Sequence, residues 1–99
     1  MYKNYWIYIV LCNDDSYYIG VTNNIKRRIW EHNNDDNKNC YTYKRRPVKL
    51  VYCENFSNIN SAIRREKQIK GWSRKKKQSL ISENFVKLVK YSKRKYPNK

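Results

Sequence analysis

The chain has 99 residues, with 23 Lys and Arg against 8 Asp and Glu and a net charge of +15. That length holds one small domain and excludes a two-domain enzyme. The charge makes a polyanion the natural partner, with nucleic acid ahead of an anionic membrane surface.

The charge is unevenly spread. Residues 1–63 carry 9 basic and 6 acidic side chains, whereas residues 64–99 carry 14 and 2, a local net of +12. Aromatic residues reach 15% and the apolar ones fall into periodic segments, which excludes an intrinsically disordered chain. The longest apolar stretch, Tyr5 to Cys12, is far short of the ~20 residues that span a bilayer, and it lacks the cleavage site of a signal peptide. Cys12, Cys40 and Cys53 are odd in number and widely spaced, and His32 is the single histidine. A zinc finger, a disulfide scaffold or a disulfide-linked partner is therefore not expected, and a reducing cytoplasm fits best.

Tyr5 to Leu11 is a β-rich run, followed by turn chemistry at Asn13-Asp14-Asp15-Ser16 and a second run from Tyr17 to Val21, which together predict a hairpin. Asn23 or Asn24 can cap a helix from Ile25 to about Asn33. Residues 33–39 are polar and predict a surface loop. Pro47 to Glu54 alternates as a third strand. Ser57 or Asn58 opens a helix that runs to Lys70, with Gly71 as its stop. Ser73 caps a third helix from Arg74 to about Ser82. Phe85–Lys99 is a basic tail in which Phe85, Leu88 and Val89 predict one or two more helical turns. The expected fold is α+β: a small three-stranded antiparallel sheet flanked by helices, in the order β-β-α-β-α-α. The globular part is expected over residues 1–84 and the basic segment over 85–99.

Three features are unusual for structural residues. In the second helix, Ile59, Ala62, Ile63 and Ile69 form one stripe, and Glu66 falls on it. A carboxylate on a buried face is costly unless it is paired or holds a metal, so Glu66 is either a structural ion pair or a functional acid. In the first helix, Arg28 and His32 are spaced i, i+4, beside Lys26 and Arg27. The pair is either an ordinary solvated basic face or a phosphate grip. In the hairpin, pairing Leu11 with Tyr17 sets Val10 against Tyr18 and Tyr8 against Gly20. Tyr8 and Tyr18 then share a face, either as core phenols or as acid–base groups. Gly20 leaves space above that face.

The order of these residues resembles the GIY-YIG nuclease family. Its first motif is similar to Trp6-Ile7-Tyr8, with Trp in place of the first Gly, and its second to Tyr18-Ile19-Gly20. An R-x-x-x-H element matches Arg28 and His32. Tyr41 to Tyr52 looks like the linker and third strand of the short stand-alone members, and Ala62 to Trp72 like the helix that holds the family's metal-binding glutamate. The likeness covers roughly residues 4–82 and implies the minimal stand-alone type, not a homing endonuclease or an excision-repair subunit.

The resemblance implies metal-dependent hydrolysis of a phosphodiester in DNA, or in RNA, as in DNA repair. Glu66 would ligate Mg²⁺ or Mn²⁺, and Arg28 would stabilise charge on the phosphate. Tyr8 would be the general base, which requires nearby cations to bring its pKa down. Tyr18 would orient phosphate or water, and His32 would relay a proton or contact phosphate. Asn84 is a counterpart to a further polar residue seen in some members. Substrate grip is expected from Arg27, Tyr41, Arg64, Arg65, Arg74, Lys75, Lys76, Lys77 and the tail, through backbone contacts that favour a structure- or end-biased substrate over a sequence-specific one. Two alternatives stay open: a non-catalytic nucleic-acid-binding protein on a nuclease scaffold, and a basic assembly protein associated with ribosomal RNA.

Overall fold

The computed structural model describes residues 4–83. The hairpin consists of β1 (Tyr5–Leu11) and β2 (Tyr17–Thr22). Its turn carries Asp15 in the left-handed region at φ 68°, a conformation Asp tolerates better than most residues. Helix α1 (Ile25–Asn34) follows, capped by Asn24, whose side chain accepts from the Arg27 amide. An exposed loop and a short 3₁₀ turn (Tyr43–Arg45) lead to β3 (Lys49–Phe56). Helix α2 (Ile59–Lys70) is capped by Asn58, which accepts from the amides of Asn60 and Ser61. A third helix, α3, runs over 74–83 within the described residues, with Ser73 Oγ accepting from the Lys76 amide.

The architecture is the expected one: three antiparallel strands in the order β2-β1-β3, with the helices on both faces. The hairpin register also matches, pairing Tyr8 with Gly20, Val10 with Tyr18 and Leu11 with Tyr17. On the other side of β1, an irregularity between Ile9 and Val10 shifts the pairing with β3. Some boundaries differ. The third strand starts at Lys49 and extends to Phe56, beyond the expected Glu54, because Tyr5 and Trp6 continue the ladder opposite Phe56 and Asn55. Gly71 ends α2 where expected, but at φ −79°, so it does not use the left-handed conformation that glycine permits. Asn84 and the segment Phe85–Lys99 lie outside the described residues.

Strand alternation divides the core into two layers. Ile7, Ile9, Ile19 and Tyr52 face α2, where Ala62 and Ile69 are buried among them, with Trp72, Leu80 and Ile81 packed around. Tyr8, Val10, Cys12 and Val48 face the opposite way, towards Ile25 and Ile29 of α1. The expected four-residue stripe on α2 is narrower than its spacing suggested. Ile59 and Ile63 are 38% and 36% exposed, and Ala62 and Ile69 are the residues that α2 buries fully. A three-stranded sheet is too narrow to cover a wide helical face, so residues 60° or more from its centre emerge at the flank.

Candidate functional site

The α1 side of the sheet holds a polar cluster inside an apolar layer. Tyr8 and His32 are each 1% exposed, and Tyr8 Oη lies 2.8 Å from His32 Nε2. Arg28 Nε donates to Tyr8 Oη at 3.3 Å, and Arg28 Nη1 reaches Glu31 at 3.2 Å. Helical spacing explains the pair: Arg28 and His32 are one turn apart on α1 and point to the same sheet face. On the far side of the imidazole, Nδ1 lies 2.8 Å from Thr42 Oγ1.

Tyr18 completes the group. Its ring meets His32 edge-on at 5.1 Å and lies 6.3 Å from the Tyr8 ring, as the hairpin register requires. Tyr41, 41% exposed, stacks on Tyr18 at 5.7 Å. The Arg45 guanidinium covers the Tyr41 ring at 3.9 Å and is anchored to Asp14 at 3.0 Å. Gly20 has a direct role. A Cβ at that position would sit 2.5 Å from the Tyr8 hydroxyl oxygen and 2.7 Å from Cζ, so the phenol lies across bare β2 backbone.

The environment decides the protonation states. Burial pushes the Tyr8 phenol up to about 12, and the Arg28 hydrogen bond and charge only partly counter it. The sequence expectation of a lowered Tyr8 pKa therefore does not describe the isolated protein. Burial and the Arg28 charge push His32 down to about 4, with Glu31 opposing them, so the imidazole is neutral at pH 7. Burial works against the Arg28 charge, but the Tyr8 and Glu31 contacts outweigh it and raise the pKa above its usual value.

Glu66 lies on the other layer. Its helix packs on the sheet face opposite Tyr8, its side chain is 18% exposed, and Lys70 Nζ is 3.3 Å from its carboxylate. Ala62 and Ile69 face the sheet, and Arg65 reaches Glu54 of β3 at 3.2 Å. Glu66 is one residue, or about 100°, further round the helix. It therefore occupies the flank towards β2, the edge strand that carries Tyr18. Among the described residues, no three His, Cys, Asp or Glu side chains are grouped as a metal site.

The basic residues are dispersed. Arg27 is exposed and bonds Asn23 at 3.0 Å. Arg65 is largely committed, to Glu54, to Gln68 at 2.8 Å and to the Trp72 ring, while Arg64 is exposed in the adjoining groove with Phe56 and Ser61. Arg74 lies 4.5 Å over the Tyr17 ring of β2 and Lys76 4.4 Å over Trp72. Lys75 is exposed and Lys77 half-buried.

A family model described as the GIY-YIG catalytic domain matches residues 4–79. The chain belongs to the GIY-YIG family. Its relatives there are small. A UPF0213 protein of Staphylococcus saprophyticus is 49% identical over 79 residues, which is 80% of this chain and 95% of that protein. A UPF0213 protein of Syntrophus aciditrophicus is 45% identical, over 85% and 95% of the two chains. The solution NMR structure of a UPF0213 protein from Bacillus halodurans is similar at TM-score 0.53 and 38% identity, covering 80% of this chain and 83% of that one. A second NMR structure, from E. faecalis, is similar at TM-score 0.59 and 32% identity, covering 87% and 93%. The GIY-YIG match implies a nuclease family and a nucleic-acid substrate. Within the described residues, no helix is long and apolar enough to cross a membrane.

Two members of the cluster had no signal in the sequence pattern. Thr42, 1% exposed, sits in an irregular segment with no periodicity to mark it as buried. Arg45 reads as one more base in a basic run until its stacking on Tyr41 is seen.

Proposed function

We propose that this chain is a metal-dependent endonuclease that hydrolyses phosphodiester bonds in DNA, with structure- or end-biased rather than sequence-specific recognition. The observation that carries this reading is the meeting of four side chains from three elements: buried Tyr8 and His32 share a hydrogen bond, half-buried Arg28 donates to Tyr8, and the half-buried Tyr18 ring packs on His32. A purely structural core has little reason to bury an imidazole against a phenol that a half-buried guanidinium also contacts.

The cation fits the chain on one side. Glu66 is a largely buried carboxylate whose described partner is the Lys70 side chain, which is 51% exposed. A single carboxylate, completed by water and phosphate oxygens, suits Mg²⁺, or Mn²⁺. When bound, the ion supplies Lewis-acid polarisation of the phosphate and stabilises the leaving oxygen. Arg28 offers its remaining guanidinium N–H groups to the phosphate oxygens, where negative charge grows in the transition state. Tyr8 is a phenol at neutral pH, so it acts as a base by releasing its proton to His32 Nε2 as it takes one from water. His32 is neutral at pH 7, so Nε2 carries a free lone pair, and the negative charge of a bound phosphate would raise its basicity above that of the protein alone. Tyr18 flanks both rings and orients the water or the phosphate.

Substrate would cross the β2 edge, whose adjacent residues Tyr17 and Tyr18 face the two layers. Tyr18 faces one layer, Arg74 stacks on Tyr17 from the other, and Glu66 lies on that flank. Arg27, Arg64, Lys75, Lys76 and Lys77 add backbone contacts of the kind that carry affinity but little sequence information.

The test is incubation of purified protein with labelled single-stranded, duplex and branched DNA and RNA, in Mg²⁺ or EDTA. Wild-type protein is expected to cut in Mg²⁺ only, and Glu66→Ala to lose at least ~10²-fold in rate, as befits removal of the ion's protein ligand. Equal cleavage by Glu66→Ala sinks the assignment. A second reading, binding without turnover, draws support from the Glu66–Lys70 contact and from the placement of α2 on the face opposite Tyr8. Tight binding with no cut substrate in any condition would favour it.

A further inference from the structure

Thr42 is the buried hydroxyl that the mechanism above leaves unused. It is 1% exposed, 2.8 Å from His32 Nδ1 and 3.4 Å from Cys40 Sγ. Proton counting orders the contacts. A guanidinium only donates, so Arg28 gives its Nε–H to Tyr8 Oη. The Tyr8 proton then has a buried acceptor in His32 Nε2. A neutral imidazole carries one N–H, which must therefore be on Nδ1, donated to Thr42 Oγ1. The Thr42 proton is left for the Cys40 sulfur. That hydrogen bond from Thr42 holds the Cys40 thiol below its ordinary pKa. The opposite tautomer would aim two N–H groups at Tyr8 Oη and leave the phenol proton with no acceptor among the described residues, a costly arrangement in a buried site.

We propose that Thr42 is a positioning residue: by accepting the His32 Nδ1–H it fixes the imidazole tautomer whose Nε2 lone pair faces the Tyr8 phenol. This rests on the reading of Tyr8 as the base. As the water oxygen bonds to phosphorus, the water proton passes to Tyr8 Oη and the Tyr8 proton to His32 Nε2. The bond from phosphorus to the leaving oxygen breaks, and that oxygen takes a proton from solvent. The imidazolium then has a partner on each nitrogen, Tyr8 and Thr42, and returns its proton to solvent through Tyr8. Tyr8 from β1 and Tyr18 from β2 face the imidazole, Cys40 lies beyond Thr42, and the charges that bear on its titration are Arg28 and Glu31 from α1 and Arg46 from the loop.

The chain has a single histidine, so ¹⁵N imidazole NMR of the full-length protein reads this tautomer without ambiguity. The wild type is expected to be protonated on Nδ1 in its neutral form, Thr42→Val to shift towards protonation on Nε2, and Thr42→Ser to keep the wild-type tautomer. In the Mg²⁺ cleavage assay, Thr42→Val should lose roughly 10- to 100-fold in rate, part of the 10²–10⁴ that a general base supplies, and Thr42→Ser should retain most of it. A wild-type imidazole protonated on Nε2, or an unchanged tautomer in Thr42→Val, overturns the proposal. Because the tautomer is read without turnover, a protein that cuts nothing but shows the expected NMR series refutes the nuclease reading and leaves only the Thr42-set tautomer standing.

Discussion

His32 shows what burial does to a single side chain. Its ordinary pKa is near 6.5, and in the fold it is about 4. Between those values the unfolded chain binds a proton that the folded one does not, so stability falls as pH drops from about 6.5 towards 4 and is fully present above that window. The size of the shift corresponds to about 3 kcal/mol. We expect the loss of denaturant stability between pH 7 and pH 4 to be smaller by a quantity of that order in His32→Gln, measured by urea titration at both pH values. An identical pH dependence in the two proteins would place a charged, solvated imidazole in the fold. Arg28 is the complement. The same cluster that neutralises His32 keeps the guanidinium ionised; in the proposed mechanism Arg28 meets the phosphate and His32 receives the proton.

Elements set the distances that those side chains need. The hairpin register brings Tyr8 opposite Gly20 and diagonal to Tyr18, and a slip of one residue would send both phenols to opposite faces. Gly20 lets the two strands keep that register with a phenol lying on the backbone between them. Gly20→Ala is expected to cost about 1–3 kcal/mol in thermal or chemical denaturation, the usual penalty of overpacking, because the Tyr8 ring is enclosed and has little room to give. It should also displace Tyr8 Oη from His32 and raise the histidine pKa towards its ordinary value, which an NMR titration would follow. A neutral effect on both would mean that Tyr8 is mobile. Helix α1 contributes through its cap. Asn24 starts the helix so that Arg28 and His32 fall one turn apart on the inward side.

For the whole molecule, the edge strand β2 touches both layers: Arg74 lies over Tyr17 on the α2 side, and Tyr18 belongs to the polar cluster on the other. A polyanion that reaches both must wrap that edge. Replacing Arg74, Lys75, Lys76 and Lys77 together by Gln should weaken nucleic-acid binding about equally across sequences. It should also flatten the dependence of log K on log salt by about 0.9 for each duplex phosphate that the variant no longer neutralises. Fluorescence anisotropy at a series of salt concentrations measures both. An unchanged slope would show that substrate approaches by another face. The +15 charge predicts a polyanionic partner in general, and the proposed path over β2 assigns the contact to one edge.

The local code of this chain was legible without coordinates. Strand alternation, the asparagine caps, the hairpin register and the Arg28–His32 spacing depend on neighbours within a few residues or across one turn, and each appears where the sequence places it. The family was legible too, because its motifs are short and ordered along the chain. Width and burial were not. Ile59 and Ile63 look like core by periodicity and are exposed because the sheet beneath them has three strands. Thr42 looks like loop and is buried because α1 and the segment before β3 close over the same sheet face. The Tyr8 pKa followed the same division. The resemblance requires nearby cations to lower it, and only the packed interior shows that desolvation exceeds the Arg28 charge. Periodicity records which way a side chain points; how deeply it is buried depends on what the rest of the chain brings against it.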